Sequence, residues 1–186
     1  NLVCRYCWHL GTTGDMVTTG KSSSDRDVTF TYGRNIRYHS PDYIIKMVRH
    51  LKETYDIDQV NFLDENLMTM DSYSKRTWLK EICQKWIEAG FQPDSRRLGV
   101  SHNSVKNNGI FWSGTSHASL HTPEILKLMY EAGCTHLVYG LESFDKKILK
   151  KLGKGSTVKK NEDSIGVCME SGIIPIPNII IGFPEE

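Results

Sequence analysis

Cys4 and Cys7 stand two residues apart in Asn1-Leu2-Val3-Cys4-Arg5-Tyr6-Cys7-Trp8-His9. A C-x-x-C pair on a turn puts two soft thiolates within reach of one metal centre, and zinc sites, redox dithiols and iron–sulfur loops all use it. A c-type haem attachment is excluded, because Trp8 separates Cys7 from His9. A structural zinc module using Cys4, Cys7 and His9 would lack a second well-spaced ligand pair. The remaining residues with chemistry close short apolar runs: Asp64-Glu65-Asn66, Ser113 to Ser116-His117, Glu142-Ser143, and Gly182 to Glu185.

Those runs must be held by elements that the pattern also shows. Residues 11–38 are rich in Gly, Ser, Thr and Asp and read as a loop. Ser40-Pro41 opens a helix whose buried stripe is Ile44, Val48, Leu51 and Tyr55. Gln59 to Leu63 reads as a strand. A helix is expected from Asp71 to Ala89, with the stripe Trp78, Leu79, Ile82, Cys83, Trp86 and Ile87, and Gly90 past its end. Residues 92–109 look like an inserted loop, with Leu98-Gly99-Val100 as a small strand inside it. Ile110-Phe111-Trp112 is the next strand. Thr122-Pro123 opens a helix closed by Gly133, and Thr135 to Tyr139 follows as a strand. Ser143 is placed to cap a short basic helix to Leu152, a further helix spans Thr157 to Ser171, and Ile176 to Ile181 is the last strand. Strand–helix alternation implies parallel strands, because parallel neighbours need a crossover. An open doubly wound sheet and a barrel both fit, and in both the ligands gather at the carboxyl ends of the strands. Glu142 ends a strand and has no capping duty there.

At 186 residues, with 39% hydrophobic and 24% charged side chains, the chain is one ordinary globular domain or most of one. A net charge of +1 gives no pull toward nucleic acid or a membrane surface. The most apolar run, Gly172 to Phe183, is short and carries Pro175 and Pro177, so it is no membrane span. Cys83, Cys134 and Cys168 are scattered and read as small core residues, which points to a reducing, cytoplasmic setting. A cluster-free nucleotide-binding α/β protein would need a glycine-rich turn between strand and helix, and none is present.

Taken together, several segments resemble the core of the radical S-adenosylmethionine (SAM) enzymes. They are Cys4-Arg5-Tyr6-Cys7, Phe62-Leu63-Asp64-Glu65-Asn66, Glu131-Ala132-Gly133-Cys134, Gly140-Leu141-Glu142-Ser143, Lys154-Gly155, and Ile181-Gly182-Phe183-Pro184-Glu185. The nearest flavour is the group that often carries an upstream cobalamin-binding domain. The resemblance implies a partial (β/α)6 TIM-like barrel, truncated at both ends and lacking its first and last strands, with the whole of 1–186 as one core domain and the fragment itself inactive. It implies that Cys4 and Cys7 ligate two irons of a [4Fe–4S] cluster whose open iron takes SAM. Tyr6 would lie near the adenine and Ile180 would pack on it. Asp64, Glu65 and Asn66 stand where the family has Gly-Gly-Glu and would meet the SAM amine. Glu142 would accept from the ribose hydroxyls. Ser143 and Gly182 belong to the same edge, and Ser116 stands where a basic residue is often found. The implied reaction is reductive cleavage of SAM to a 5′-deoxyadenosyl radical acting on an unidentified substrate, by oxidation, cyclisation or methyl transfer. The implied partners are that substrate and an electron donor such as flavodoxin or ferredoxin, with cobalamin held by a domain outside this chain.

Overall fold

The computed structural model describes residues 16–19, 27–30, 38–64, 66–68, 71, 74–93, 109–118, 121–153 and 155–183. Two short strands, β1 (Met16–Thr19) and β2 (Asp27–Phe30), pair antiparallel within the stretch expected to be a loop. The remaining order is α1 (Pro41–Tyr55), β3 (Gln59–Phe62), α2 (Trp78–Glu88), β4 (Phe111–Ser116), α3 (Pro123–Glu131), β5 (Cys134–Glu142), α4 (Lys146–Leu152), α5 (Val158–Glu170) and β6 (Ile174–Ile179). The expected small strand at Leu98 to Val100 lies outside the described residues.

Helix starts follow local chemistry. Ser40, Thr122 and Thr157 each turn a side-chain oxygen onto an amide of the first turn, at Tyr43, Ile125 and Lys160. For α1 and α2 the structure departs from the expected pattern. α2 begins at Trp78 rather than Asp71, because Lys75 and Arg76 sit at φ 56° and 67°, which no α-helix contains. Asp71 is buried just ahead of it, and its carboxylate accepts from the Leu79 amide at 3.1 Å. Tyr55, expected on the inward stripe of α1, is exposed, since the helix ends there and Asp56 turns left-handed at φ 51°.

β3, β4, β5 and β6 form one parallel sheet in that order. A doubly wound sheet reverses strand order part-way and puts helices on both faces. Here the order never reverses, and α1 packs on α2, α2 on α3, and α3 on α5. A single row of helices on one face is the winding of a barrel wall, so the fold is a partial TIM-like barrel. The core fills the space between sheet and helices. Phe62, Trp86 and Trp112 meet there at ring-centroid distances of 5.6–6.4 Å, with Phe91 against Trp86. Trp86 and Trp112 are fully buried, and their indole N–H groups donate to the carbonyls of Ile110 (3.2 Å) and Ala132 (3.0 Å).

β6 starts two residues earlier than expected and contains Pro175 and Pro177. Both prolines have the same parity, and the ladder to β5 runs through the amides between them. Their missing N–H groups therefore face the side on which, among the described residues, β6 has no neighbour.

The turn from α3 into β5 needs a glycine. Gly133 has φ 94°, its carbonyl accepts from the Trp112 amide, and a Cβ there would lie 2.8 Å from Pro93 Cδ and 3.1 Å from the Ile110 carbonyl oxygen. Gly133→Ala is expected to destabilise the fold by at least ~2 kcal/mol, from left-handed strain plus overpacking. The urea midpoint should fall with an unchanged slope; an unchanged midpoint would refute the packing described.

Candidate cofactor site at the carboxyl edge of the sheet

Because the four strands are parallel, their carboxyl ends share one edge. Asp64 and Asn66 follow β3, Ser116 and His117 close β4, Glu142 and Ser143 close β5, and Ile180 to Gly182 follow β6. Cys4, Tyr6, Cys7 and Glu65 lie outside the described residues.

The most distinctive geometry is at Glu142. Its φ is 69°, in the left-handed region that side chains other than glycine seldom adopt. The Ser143 amide donates to the Leu141 carbonyl across it at 2.9 Å. These two facts define a γ-turn of the rare positive-φ kind, centred on Glu142. The turn coincides with a register shift in the β5–β6 ladder between Gly140 and Glu142. The Ile180 amide donates to the Glu142 carbonyl at 2.9 Å, which ties the end of β6 to the same turn. Such a conformation costs of order 1–3 kcal/mol and persists only where surrounding bonds enforce it. The turn places the half-buried Glu142 at the edge where the other strand ends meet.

Ser143 does not cap the helix that follows. Its buried hydroxyl accepts from the Asp145 amide at 3.0 Å, and Asp145 is the N-cap of α4, with its carboxylate accepting from the amides of Lys147 (2.7 Å) and Ile148 (3.0 Å). Those two bonds hold the Asp145 carboxyl below the usual carboxylate range. The cap belongs to the residue two positions later because the γ-turn occupies Ser143's own backbone.

The other edge residues are placed as follows. The Asn66 side chain accepts from the Met68 amide at 3.0 Å and so shapes its own loop. The Thr115 hydroxyl bonds the Asp64 carbonyl, joining the β3 and β4 ends. The Asp64 carboxyl lines a cavity of about 400 Å³ with Tyr38, His39, Met47 and Trp78. Loss of solvent around it pushes its pKa up, partly offset by the charge of His39. Ser116 pairs in register with Tyr139, whose ring is fully buried, so Ser116 points toward the helix layer, where its hydroxyl bonds His121. Ile180 is half-buried and Gly182 sits at φ 94°. The opposite face of the sheet carries Asn61, Ser113, Thr115, Val138 and Ile176, with Asn61 and Ser113 bonded to each other across the strands.

Metal-ligand chemistry has little to work with elsewhere. Among the described residues, no cluster of three His, Cys, Asp or Glu could hold an ion. Cys83, Cys134 and Cys168 are buried, and burial pushes all three thiols above their ordinary range, so they stay protonated. Cys4 and Cys7 are the thiols this leaves for a metal, and a thiolate pair is the donor type an iron–sulfur cluster takes.

Comparison with known proteins shows the family and the fold. The sequence profile of the Radical SAM superfamily matches residues 1–186, and the chain belongs to that superfamily. An uncharacterized methyltransferase of Pyrococcus horikoshii is 26% identical over 155 residues, 83% of this chain and 29% of the relative. Bacteriochlorophyllide d C-12(1)-methyltransferase of Chlorobaculum tepidum is 25% identical over 158 residues, again 83% of this chain and 30% of the relative. The chain thus spans under a third of the curated relatives it matches. Among solved structures, the cobalamin-dependent SAM radical enzyme OxsB with aqua-cobalamin aligns with a TM-score of 0.59 at 17% identity, over 78% of this chain and 20% of that one. TsrM, a radical SAM methyltransferase from Kitasatospora setae solved with cobalamin and a [4Fe–4S] cluster, aligns with a TM-score of 0.59 at 17% identity, over 80% of this chain and 26% of that one. These two establish the likeness of fold.

His121, which the sequence did not single out, carries the clearest titration. Burial, and then the neighbouring His117, lower its pKa from 6.5 to about 4. The unfolded chain therefore takes up this proton before the folded one. Its stability contribution is intact above pH 6.5 and falls as the pH drops from 6.5 toward 4, by roughly 3 kcal/mol in all. Chemical denaturation across this window should show the loss, and His121→Gln should flatten it; an equal slope in both proteins would exclude His121 as the source.

Proposed function

We propose that this chain is the SAM-cleaving core of a radical SAM methyltransferase, with the cobalamin held by a domain outside these residues. The observation that carries the core assignment is the strained, bond-enforced turn presenting Glu142 at the carboxyl edge of a barrel-type parallel sheet, in a chain of this superfamily. Two relatives named as methyltransferases, and the cobalamin-bound methyltransferase TsrM, support the methyl-transfer outcome over oxidation or cyclisation; the aqua-cobalamin in the OxsB structure supports only the association with cobalamin.

When bound, the cluster and SAM supply the low-potential electron and the sulfonium whose cleavage releases a 5′-deoxyadenosyl group. Cys4 and Cys7 hold iron, and Tyr6 and Ile180 flank the adenine. Glu142 accepts from the two ribose hydroxyls, the loop Asp64–Asn66 meets the methionine amine, and Gly182 lets the β6 end approach the cofactor. The barrel wall keeps water from the reacting atoms. An electron donor of the flavodoxin or ferredoxin class completes the system, and the substrate is an organic acceptor bound by parts of the protein beyond this core.

Two outcomes test the assignment. After anaerobic reconstitution of the full-length protein, Cys4→Ala or Cys7→Ala should abolish iron binding, whereas Cys83→Ala, Cys134→Ala and Cys168→Ala should retain it; equal losses across all five would sink the cluster assignment. Glu142→Ala should weaken SAM binding at least ~10-fold by calorimetry without changing iron content, since charge-assisted bonds contribute about 1.5–3 kcal/mol each. Unaltered affinity would remove Glu142 from the site.

A further inference from the structure

We infer that Asn161, oriented by Ser156, is the positioning residue that holds Glu142 in its SAM-binding geometry; the inference rests on Glu142 being the ribose acceptor. Asn161 lies in the first turn of α5 and is fully buried. Its amide nitrogen donates to the Leu141 carbonyl at 3.2 Å and to the Ser143 carbonyl at 3.1 Å, the two residues that flank Glu142. The two carbonyls can only accept, so they fix the NH2 end toward the turn, and the amide oxygen then accepts from the buried Ser156 hydroxyl at 2.5 Å.

The γ-turn and Asn161 thus form one unit. Across it, the Ser143 amide bonds the Leu141 carbonyl; from outside, the Ile180 amide bonds the Glu142 carbonyl; from behind, Asn161 bridges the carbonyls on either side. Three successive carbonyls are held, so the strained φ of Glu142 has no regular alternative that keeps these bonds. Only a side chain with two donors and an acceptor on one planar group satisfies this site. Aspartate has no donors to give while ionised, and leucine would strip the Ser143 carbonyl of its amide donor and leave the Leu141 carbonyl with the Ser143 amide alone. Local propensity does not explain the residue, because asparagine is a poor helix former away from caps. Tethering α5 to an ordinary stretch of β5 would not require gripping both sides of its single left-handed residue.

The test uses the reconstituted full-length enzyme and two probes, SAM and its 2′,3′-dideoxyribose analogue, with binding read by calorimetry. Asn161→Ala should weaken SAM about 10-fold or more and leave the dideoxy analogue within about threefold, a factor of ten being ~1.4 kcal/mol. Iron content and far-ultraviolet circular dichroism should match wild type. Ser156→Ala, which keeps the amide but frees its orientation, should move SAM binding the same way by about threefold. Added to Glu142→Ala, the Asn161 change should have no further effect on SAM. Equal losses for both probes, or a loss that adds in full to that of Glu142→Ala, overturns the inference and leaves the ribose assignment standing. A silent Glu142→Ala overturns the ribose assignment and the inference with it. If Asn161→Ala does not fold, Ser156→Ala decides by the same comparison of probes.

Discussion

The packing of Trp86 and Trp112 between sheet and helices is the contact on which the rest depends. Each ring is wholly buried, and each N–H reaches a backbone carbonyl at a strand or helix end. Large aromatic surfaces of this kind dominate the burial energy of a small core. Their bonds also fix where β4 starts and where α3 stops. With the apolar surface concentrated on one side, α1, α2, α3 and α5 gather there, and among the described residues the opposite sheet face carries the polar side chains of Asn61, Ser113 and Thr115. Gly114 completes the fit: Leu67 fills the space where a Cβ on that strand would stand.

The edge above this core is built differently. It relies on directed polar bonds rather than volume. Asn66, Ser143, Asp145 and Asn161 each use a side chain to hold backbone, and each acts within a few residues of a strand end. Rigidity of this sort costs little when every donor and acceptor is matched. It suits a site that must orient a cofactor rather than enclose a fixed apolar ligand, because charge-assisted bonds depend steeply on position.

Much of this is legible in the amino-acid sequence itself. Ser40-Pro41, Thr122-Pro123 and Thr157 announce helices by a capping rule that acts within three residues, and the Trp78–Trp86 stripe announces a buried face by periodicity. The strand ends follow from apolar runs that stop at acidic or hydroxyl residues. What escaped depends on partners distant in sequence. Nothing near Lys75 and Arg76 signals that they turn left-handed and delay α2. Ser143 looks like a cap until the turn at Glu142 takes its backbone. The strands at Met16 and Asp27 are too short to stand out from a Ser- and Thr-rich stretch, although Val17, Val28 and Phe30 favour extended backbone. Asn161 did leave a trace: it recurs with Ser164 and Cys168 at helical spacing, so the buried stripe of α5 is polar where an apolar one was due. Its targets, twenty and eighteen residues earlier, could not be read from that spacing.

Pro175 and Pro177 give β6 a one-sided grammar. Along its outer margin the backbone offers carbonyl oxygens at these positions but no hydrogens. A strand added there could give bonds to β6 and receive almost none in return. Indiscriminate pairing along this margin, which has no neighbouring strand among the described residues, is thereby weakened. A neighbour that settles on this margin has to be chosen by its side chains, and Ile174 and Ile176, both exposed, are the surface it would have to match.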